Sequence, residues 1–353
     1  MSERVPVTVI TGYLGAGKTT LLNRILSEPH GQKFAVIVNE FGEIGIDNDL
    51  IVNADEEVFE MNNGCVCCTV RGDLIRILQG LMRRKGKFDA IIVETTGLAD
   101  PAPVAQTFFV DEAVGAKTQL DAVITVADAR WLQDRLKDAP EAKNQIAFAD
   151  VIIINKTDLV SPAELREVEK RIRAINPYAK LHTTERCALP LDAVLGRNAF
   201  DLNRILEIEP AFLESEGQDH HGHDHEHNGD HDHGHPHGQG NGHARHTHGL
   251  KHYHDEDMQS IALIAEKPLD PDKFFPWVQD FVATEGPNIL RTKGILSFKG
   301  DPERFVFQGV HMMLDGTHQR PWREDERRES RIVFIGRNLP QERIRQGFEG
   351  CVA

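Results

Sequence analysis

The chain has 353 residues, more than a single hydrophobic core usually serves, so the length predicts two domains of roughly 200 and 100 residues. Forty Lys and Arg against 55 Asp and Glu give a formal charge of −15, which argues against nucleic acid and anionic membrane as partners. Five cysteines are an odd number, and Cys65, Cys67 and Cys68 are too crowded for a disulfide framework, so a reducing, cytoplasmic setting is expected.

In chain order, Val5 to Thr11 is a short apolar run broken by Thr8, which reads as a buried strand rather than a signal peptide. No later stretch approaches the roughly 18 apolar residues of a membrane span. Further buried strands are expected at Lys33 to Asn39, Phe88 to Glu94, Leu120 to Asp128 and Val151 to Asn155. Helices are expected at Lys18 to Ser27, Val70 to Arg84, Pro101 to Val110, Ala142 to Phe148 and Pro162 to Ile175. Ser161 before Pro162, with Glu164 following, is a helix-start signal. The alternation predicts an α/β fold with a mostly parallel sheet over residues 1–215.

Residues 216–257 form a linker. Fourteen of the 18 histidines fall between Gln218 and Asp257, with almost nothing apolar to offset chain entropy, so disorder is expected there. From Met258 a smaller α+β domain, 258–353, is predicted. Its strands are expected at Gln259 to Glu266, Gly294 to Phe298, Phe305 to Met313 and Ser330 to Gly336, with helices at Pro271 to Ala283 and Pro340 to Phe348.

Gly12-Tyr-Leu-Gly15-Ala16-Gly17-Lys18-Thr19-Thr20 matches G-x-x-x-x-G-K-[ST] between a strand and a helix. Its N–H groups cradle phosphates, Lys18 reaches the β and γ phosphates, and the Thr19 hydroxyl suits Mg2+. Asn155-Lys156-Thr157-Asp158 after a strand matches N-K-x-D; Asp158 accepts from guanine N1–H and its exocyclic amine, which selects GTP over ATP. Glu94 ends a buried strand and is placed to hold Mg2+, with Gly97 three residues on as a γ-phosphate sensor. The acidic loop Asn39 to Asp47 lies where a nucleotide switch belongs: Asp47 would orient the attacking water or bind Mg2+, and Glu40 and Glu43 are metal-facing carboxylates. Lys18, Asp47 and Glu94 are thus the expected catalytic set.

Cys65-Val-Cys67-Cys68 offers two or three thiolates to zinc or another soft or borderline metal, before a helix whose N-terminus lowers their pKa. Cys187 and Cys351 have no cysteine neighbour and read as structural. The His-x-His spacings from His221 suit Zn2+, Ni2+, Co2+ or Cu2+ with little selectivity.

Taken in this order, the P-loop, the Asn39 to Asp47 loop, Gly64 to Cys68, Glu94-Thr-Thr-Gly97-Leu-Ala-Asp-Pro101 and Asn155 to Asp158 resemble the CobW family of metallochaperone GTPases over nearly the whole chain. The resemblance implies GTP hydrolysis with GTP/GDP and Mg2+, a thiolate site at C-x-C-C that takes Zn2+, with Co2+ or Ni2+ as alternatives, and delivery to a metal-dependent client apoprotein. A cobalt-handling GTPase of cobalamin biosynthesis and a His-tract metal store are the competing readings. A homodimer stays open, as does whether the C-terminal domain docks clients or pairs protomers.

Overall fold

The computed structural model describes residues 4–29, 31–38, 57–60, 68–83, 88–197, 199, 258–324 and 326–353. Glu40, Glu43, Asp47, Cys65, Cys67 and the histidine tract lie outside the described residues.

The first unit is a seven-stranded sheet in the order β3-β2-β4-β1-β5-β6-β7. Its strands are β1 (Val5–Thr11), β2 (Phe34–Val38), β3 (Glu57–Glu60), β4 (Ala90–Glu94), β5 (Thr118–Asp128), β6 (Val151–Asn155) and β7 (Lys180–Thr183). Every pair in it is parallel. Parallel neighbours need crossover helices. These are α1 (Lys18–Ser27), α2 (Cys68–Met82), α3 (Ala102–Val110), α4 (Glu112–Gly115), α5 (Leu132–Asp138), α6 (Pro140–Phe148) and α7 (Pro162–Ile175). Helices cover both faces, which is why β4 and β6 are buried along their whole length and carry uninterrupted Ile and Val. Helix α7 starts at the expected residue because Ser161 and Glu164 close a reciprocal cap: Glu164 N–H donates to Ser161 Oγ at 3.3 Å and Ser161 N–H to Glu164 Oε2 at 2.7 Å.

From β1 the strands run β5, β6, β7 on one side and β4, β2, β3 on the other, and because all are parallel the carboxyl ends of β1, β4, β5 and β6 lie along one edge, where ligands bind in open α/β sheets.

The second unit is a five-stranded antiparallel sheet ordered β11-β10-β9-β12-β8. It comprises β8 (Met258–Ala265), β9 (Ile289–Ser297), β10 (Glu303–Val310), β11 (Met313–Pro321) and β12 (Ser330–Arg337), with α8 (Pro271–Glu285) and α9 (Gln341–Gly350). The expected helical layer is there. Phe274 and Phe281 of α8 and Phe348 of α9 pack on Phe305, Phe307, Ile332 and Phe334, with Phe274 edge-on to Phe307 at 5.7 Å. The opposite face is not solvated. Ile295, Val306, Val333 and Ile335 join the core of the parallel unit instead, so alternate residues of one strand enter two different cores. At their junction Asp150, just before β6, meets Arg291 Nη2 at 3.2 Å and Lys293 Nζ at 3.0 Å, all three side chains being buried.

Several sequence expectations need correction. Phe305 to Met313 is not one strand: His311, at φ 52°, turns the chain and a separate edge strand β11 follows. Strands β3 and β7 and helices α4 and α5 are additions, being short and, for β7, half-exposed. Strand β9 begins at Ile289, five residues before Gly294. Helix α2 begins at Cys68 rather than near Val70, which puts Cys68 on the first helical turn and not in the loop before it.

Candidate nucleotide site

Between β1 and α1 the chain bends three times at positive φ: Gly12 at 142°, Gly15 at 73° and Gly17 at 116°. Space forbids a side chain at two of them as well. A Cβ on Gly12 would sit 2.2 Å from the Val126 carbonyl oxygen, and one on Gly17 would sit 2.5 Å from Asn155 Nδ2. Gly17 then opens α1 with no side-chain cap, which leaves the first helical N–H groups facing the loop mouth as an anion cradle.

The loop is clasped from β6. Asn155 Nδ2 donates to Ala16 O at 2.9 Å and Lys156 Nζ to Gly15 O at 2.6 Å. Lys156 reaches further, to Asp128 Oδ2 at the end of β5, 2.7 Å away. The N-K-x-D residues therefore shape the phosphate loop, while Asp158, two residues on, lies exposed beyond it. Lys18 Nζ curls back to Tyr13 O at 3.5 Å, and Thr20 is exposed in the first turn of α1. Thr19 Oγ1 lies 3.4 Å from Glu94 Oε1, Glu94 being 6% exposed. A hydroxyl and a carboxylate converging at the mouth of a phosphate loop are the hard oxygen donors that Mg2+ takes. Gly97 rides directly on the P-loop: a Cβ there would come within 2.6 Å of Leu14 N. The structure thus brings together Gly12, Gly15, Ala16, Gly17, Lys18, Thr19, Glu94, Gly97, Asn155 and Lys156. Of the thiolate set it describes only the backbone of Cys68.

One residue read as merely structural belongs to this assembly. Cys187 donates its N–H to Asn155 Oδ1 at 2.9 Å and its Sγ lies 3.5 Å from Gly17 O, so it orients the amide that holds the P-loop. Its carbonyl accepts from Arg24 of α1. Burial pushes the Cys187 thiol up to about 11, against the pull of Arg24 and Lys156, so it is not a thiolate at neutral pH. The Cys351 thiol is also raised to about 11, again by burial. The only sequence signal for Cys187 was its place just after β7, a strand that composition hides.

Beside the P-loop opens a cleft of about 460 Å³, lined by Tyr13, Leu14, Asp128, Trp131, Arg135 and Lys156 among others. Arg135 sits over the Tyr13 ring, 5.3 Å from its centroid, and so stiffens the outer wall. Among the described residues no helix is long and apolar enough to cross a membrane.

The comparisons agree with this geometry. The family model "CobW/HypB/UreG, nucleotide-binding domain" matches residues 6–183, and "Cobalamin synthesis protein cobW C-terminal domain" matches 258–352. The Zinc chaperone YjiA of Escherichia coli is 33% identical over 98% of both chains, and the Zinc chaperone CobW of Pseudomonas aeruginosa is 35% identical over 99% of this chain and 92% of its own. The crystal structure of Zn(II)-bound YjiA GTPase from E. coli covers 99% of this chain and 100% of its own, at 28% identity and a TM-score of 0.74. Two matched domains in order, a P-loop clasped by Asn155 and Lys156, and end-to-end similarity make this chain a member of the CobW/HypB/UreG family with the CobW C-terminal domain.

Proposed function

We propose that the protein is a cytoplasmic GTP-hydrolysing metallochaperone that takes zinc at Cys65, Cys67 and Cys68 and passes it to a client apoprotein. The observation that carries the nucleotide half is the clasp of Asn155 and Lys156 on the carbonyls of Ala16 and Gly15, since it makes the base-reading turn and the phosphate loop one rigid unit. The names of the relatives support the metal half: zinc chaperones and a Zn(II)-bound GTPase. In this reading residues 1–215 hydrolyse GTP, 216–257 are a metal-gathering linker, and 258–353 complete the fold by packing one sheet face on the parallel unit.

Asp158 reads guanine. The N–H groups at Gly15 to Thr20 hold the phosphates, and Lys18 leaves Tyr13 O to lie against the β and γ oxygens, where its charge matters most as negative charge shifts during in-line attack by water. Thr19 and Glu94 would hold Mg2+, which when bound would neutralise phosphate charge. Asp47 would orient the water, and Glu40 and Glu43 would face the metals. Gln145 reaches the Gly97 loop, but its amide is committed to Gly97 O and Ala99 O, so it is not available to position water. Hydrolysis by the protein alone is expected to be slow and to rise with metal or client.

The test is transfer of zinc or cobalt to candidate apoproteins with GTP against a nonhydrolysable analogue. GTP-dependent zinc transfer is expected. Equal transfer with both nucleotides would remove hydrolysis from the cycle, and preferential cobalt transfer would reassign the cargo.

A further inference from the structure

Helix α6 carries two adjacent amides that the hydrolysis scheme does not use. Asn144 is 4% exposed and Gln145 1%, and buried amides are costly unless satisfied. Both are satisfied by the same loop. Gln145 Nε2 donates to Gly97 O and to Ala99 O, each at 3.1 Å, while the Gln145 backbone carbonyl accepts from Thr125 Oγ1 of β5 at 2.7 Å. Asn144 Nδ2 donates to Asp100 Oδ2 at 2.9 Å, and the other Asp100 oxygen accepts from Ala102 N at 2.9 Å, where α3 begins. The turn Gly97 to Asp100 is thus held from outside by α6 and rests inside on the P-loop at Leu14.

Asn144 has a second partner in the other unit. Arg337 Nη2, at the end of β12, donates to Asn144 Oδ1 at 2.5 Å. The amide cannot turn over without losing both partners, because its nitrogen faces a carboxylate and its oxygen a guanidinium. One side chain therefore joins the loop that meets the γ phosphate to the C-terminal sheet.

We infer that Asn144 and Gln145 are positioning residues for the γ-phosphate loop, and that through Asn144 the Arg337 end of the C-terminal sheet responds to which nucleotide is bound. The inference rests on the GTP reading above. GDP lacks the phosphate that this loop meets, so the α6 contacts bear on GTP and not on GDP. By linkage, whatever GTP does to the loop is returned by Arg337 as a change in GTP affinity.

The experiment uses the full chain with Gln145→Met, Asn144→Asp and Arg337→Met, and measures affinity for GDP and for a nonhydrolysable GTP analogue. Gln145→Met keeps length and removes both donors. Asn144→Asp keeps an acceptor for Arg337 and sets a carboxylate against Asp100. Gln145→Met and Asn144→Asp are expected to weaken the analogue relative to GDP about fivefold or more, the lower end of ordinary coupling. Arg337→Met should move the same ratio about threefold with GDP affinity held within about twofold. Equal losses for both nucleotides would make the amides ordinary packing, and an unmoved ratio in Arg337→Met would cut the C-terminal sheet out. If Gln145→Met does not fold, the other two variants decide. Amide exchange across Thr95 to Pro101 without nucleotide gives an independent reading: faster exchange in Arg337→Met is expected, and unchanged protection overturns the link. A wild-type protein that hydrolyses no GTP would refute the proposed function, while the exchange result would still decide this inference.

Discussion

Asp150→Asn tests what joins the two units. Asp150 is 3% exposed, and it faces Lys293 Nζ at 3.0 Å and Arg291 Nη2 at 3.2 Å across the junction. The substitution keeps shape, and it keeps an acceptor for Val123 N–H, which now donates to Asp150 Oδ2 at 2.9 Å. The charge is lost and, with the oxygen kept toward Val123, the new NH2 group takes the place of the oxygen that faced Arg291 and Lys293, leaving two buried cations side by side opposite a donor. Breaking a buried pair typically costs about 3–5 kcal/mol, on the order of a hundredfold to a few thousandfold in the folding equilibrium. The assay is urea unfolding followed by circular dichroism and by tryptophan fluorescence. Trp131 lies half-exposed on the parallel unit, while Trp277, packed on Phe281 and Phe348, and Trp322 lie in the C-terminal one, so fluorescence weights the C-terminal unit and circular dichroism both. The wild-type probes should coincide, whereas in Asp150→Asn the midpoint should fall and the probes separate. The pH dependence follows from the same contacts. Burial pushes the Asp150 carboxyl up, but Lys293, Arg291 and the Val123 N–H together outweigh it and leave the group below its ordinary value. A depressed carboxylate stabilises fully above its unfolded value of about 3.9 and loses that contribution as pH falls through the folded one. The gap between wild type and variant should therefore be constant near neutrality and close below about pH 4. A neutral-pH loss under about 0.5 kcal/mol, or a gap independent of acid, would refute the argument.

Asp158→Asn should weaken GTP by about ten- to a hundredfold, the worth of a charged hydrogen-bonding partner, and should favour xanthine nucleotides, whose extra carbonyl accepts from the new amide; competition binding measures both. Lys18→Ala should abolish GTP hydrolysis in a phosphate-release assay, while the clasp from Asn155 and Lys156 preserves the fold by circular dichroism. Deleting residues 218–254 should lower the number of zinc ions bound without removing the tightest site, as read by competition with a chromophoric chelator. Zinc affinity should fall as pH drops, because the thiols must shed protons, and should differ between GTP analogue, GDP and no nucleotide; equal values in all three would uncouple the sites.

The nucleotide site was readable because its chemistry is local. A phosphate loop needs Gly12, Gly15 and Gly17 at backbone angles other residues avoid, and it needs Lys18 and Thr19 directly after them, so the requirement is written in consecutive letters. Its supports are not local. Cys187 serves Asn155 from 32 positions away and Arg337 serves Asn144 from 193. No periodicity or motif records such pairs, because each residue alone satisfies the description of an ordinary buried cysteine or surface arginine.

The start of β9 shows the same limit in a form that has a physical cause. Arg291, Thr292 and Lys293 are polar, so a rule that strands of a two-layer sheet alternate apolar with polar starts the strand only at Gly294. In the fold all nine residues from Ile289 to Ser297 are buried. Arg291, Lys293 and Ile295 share one face by the two-residue period, and that face lies on α6 and the start of β6, not in water. Two cations are tolerated there because Asp150 supplies the opposing charge from a different domain. The sequence of the C-terminal domain read alone makes that face solvent-exposed, and only the docked parallel unit turns it into an interior. Polar residues that mislead an element-by-element reading are therefore the ones that specify how the two units join, and the charge pattern of β9 makes sense only with Asp150 in place.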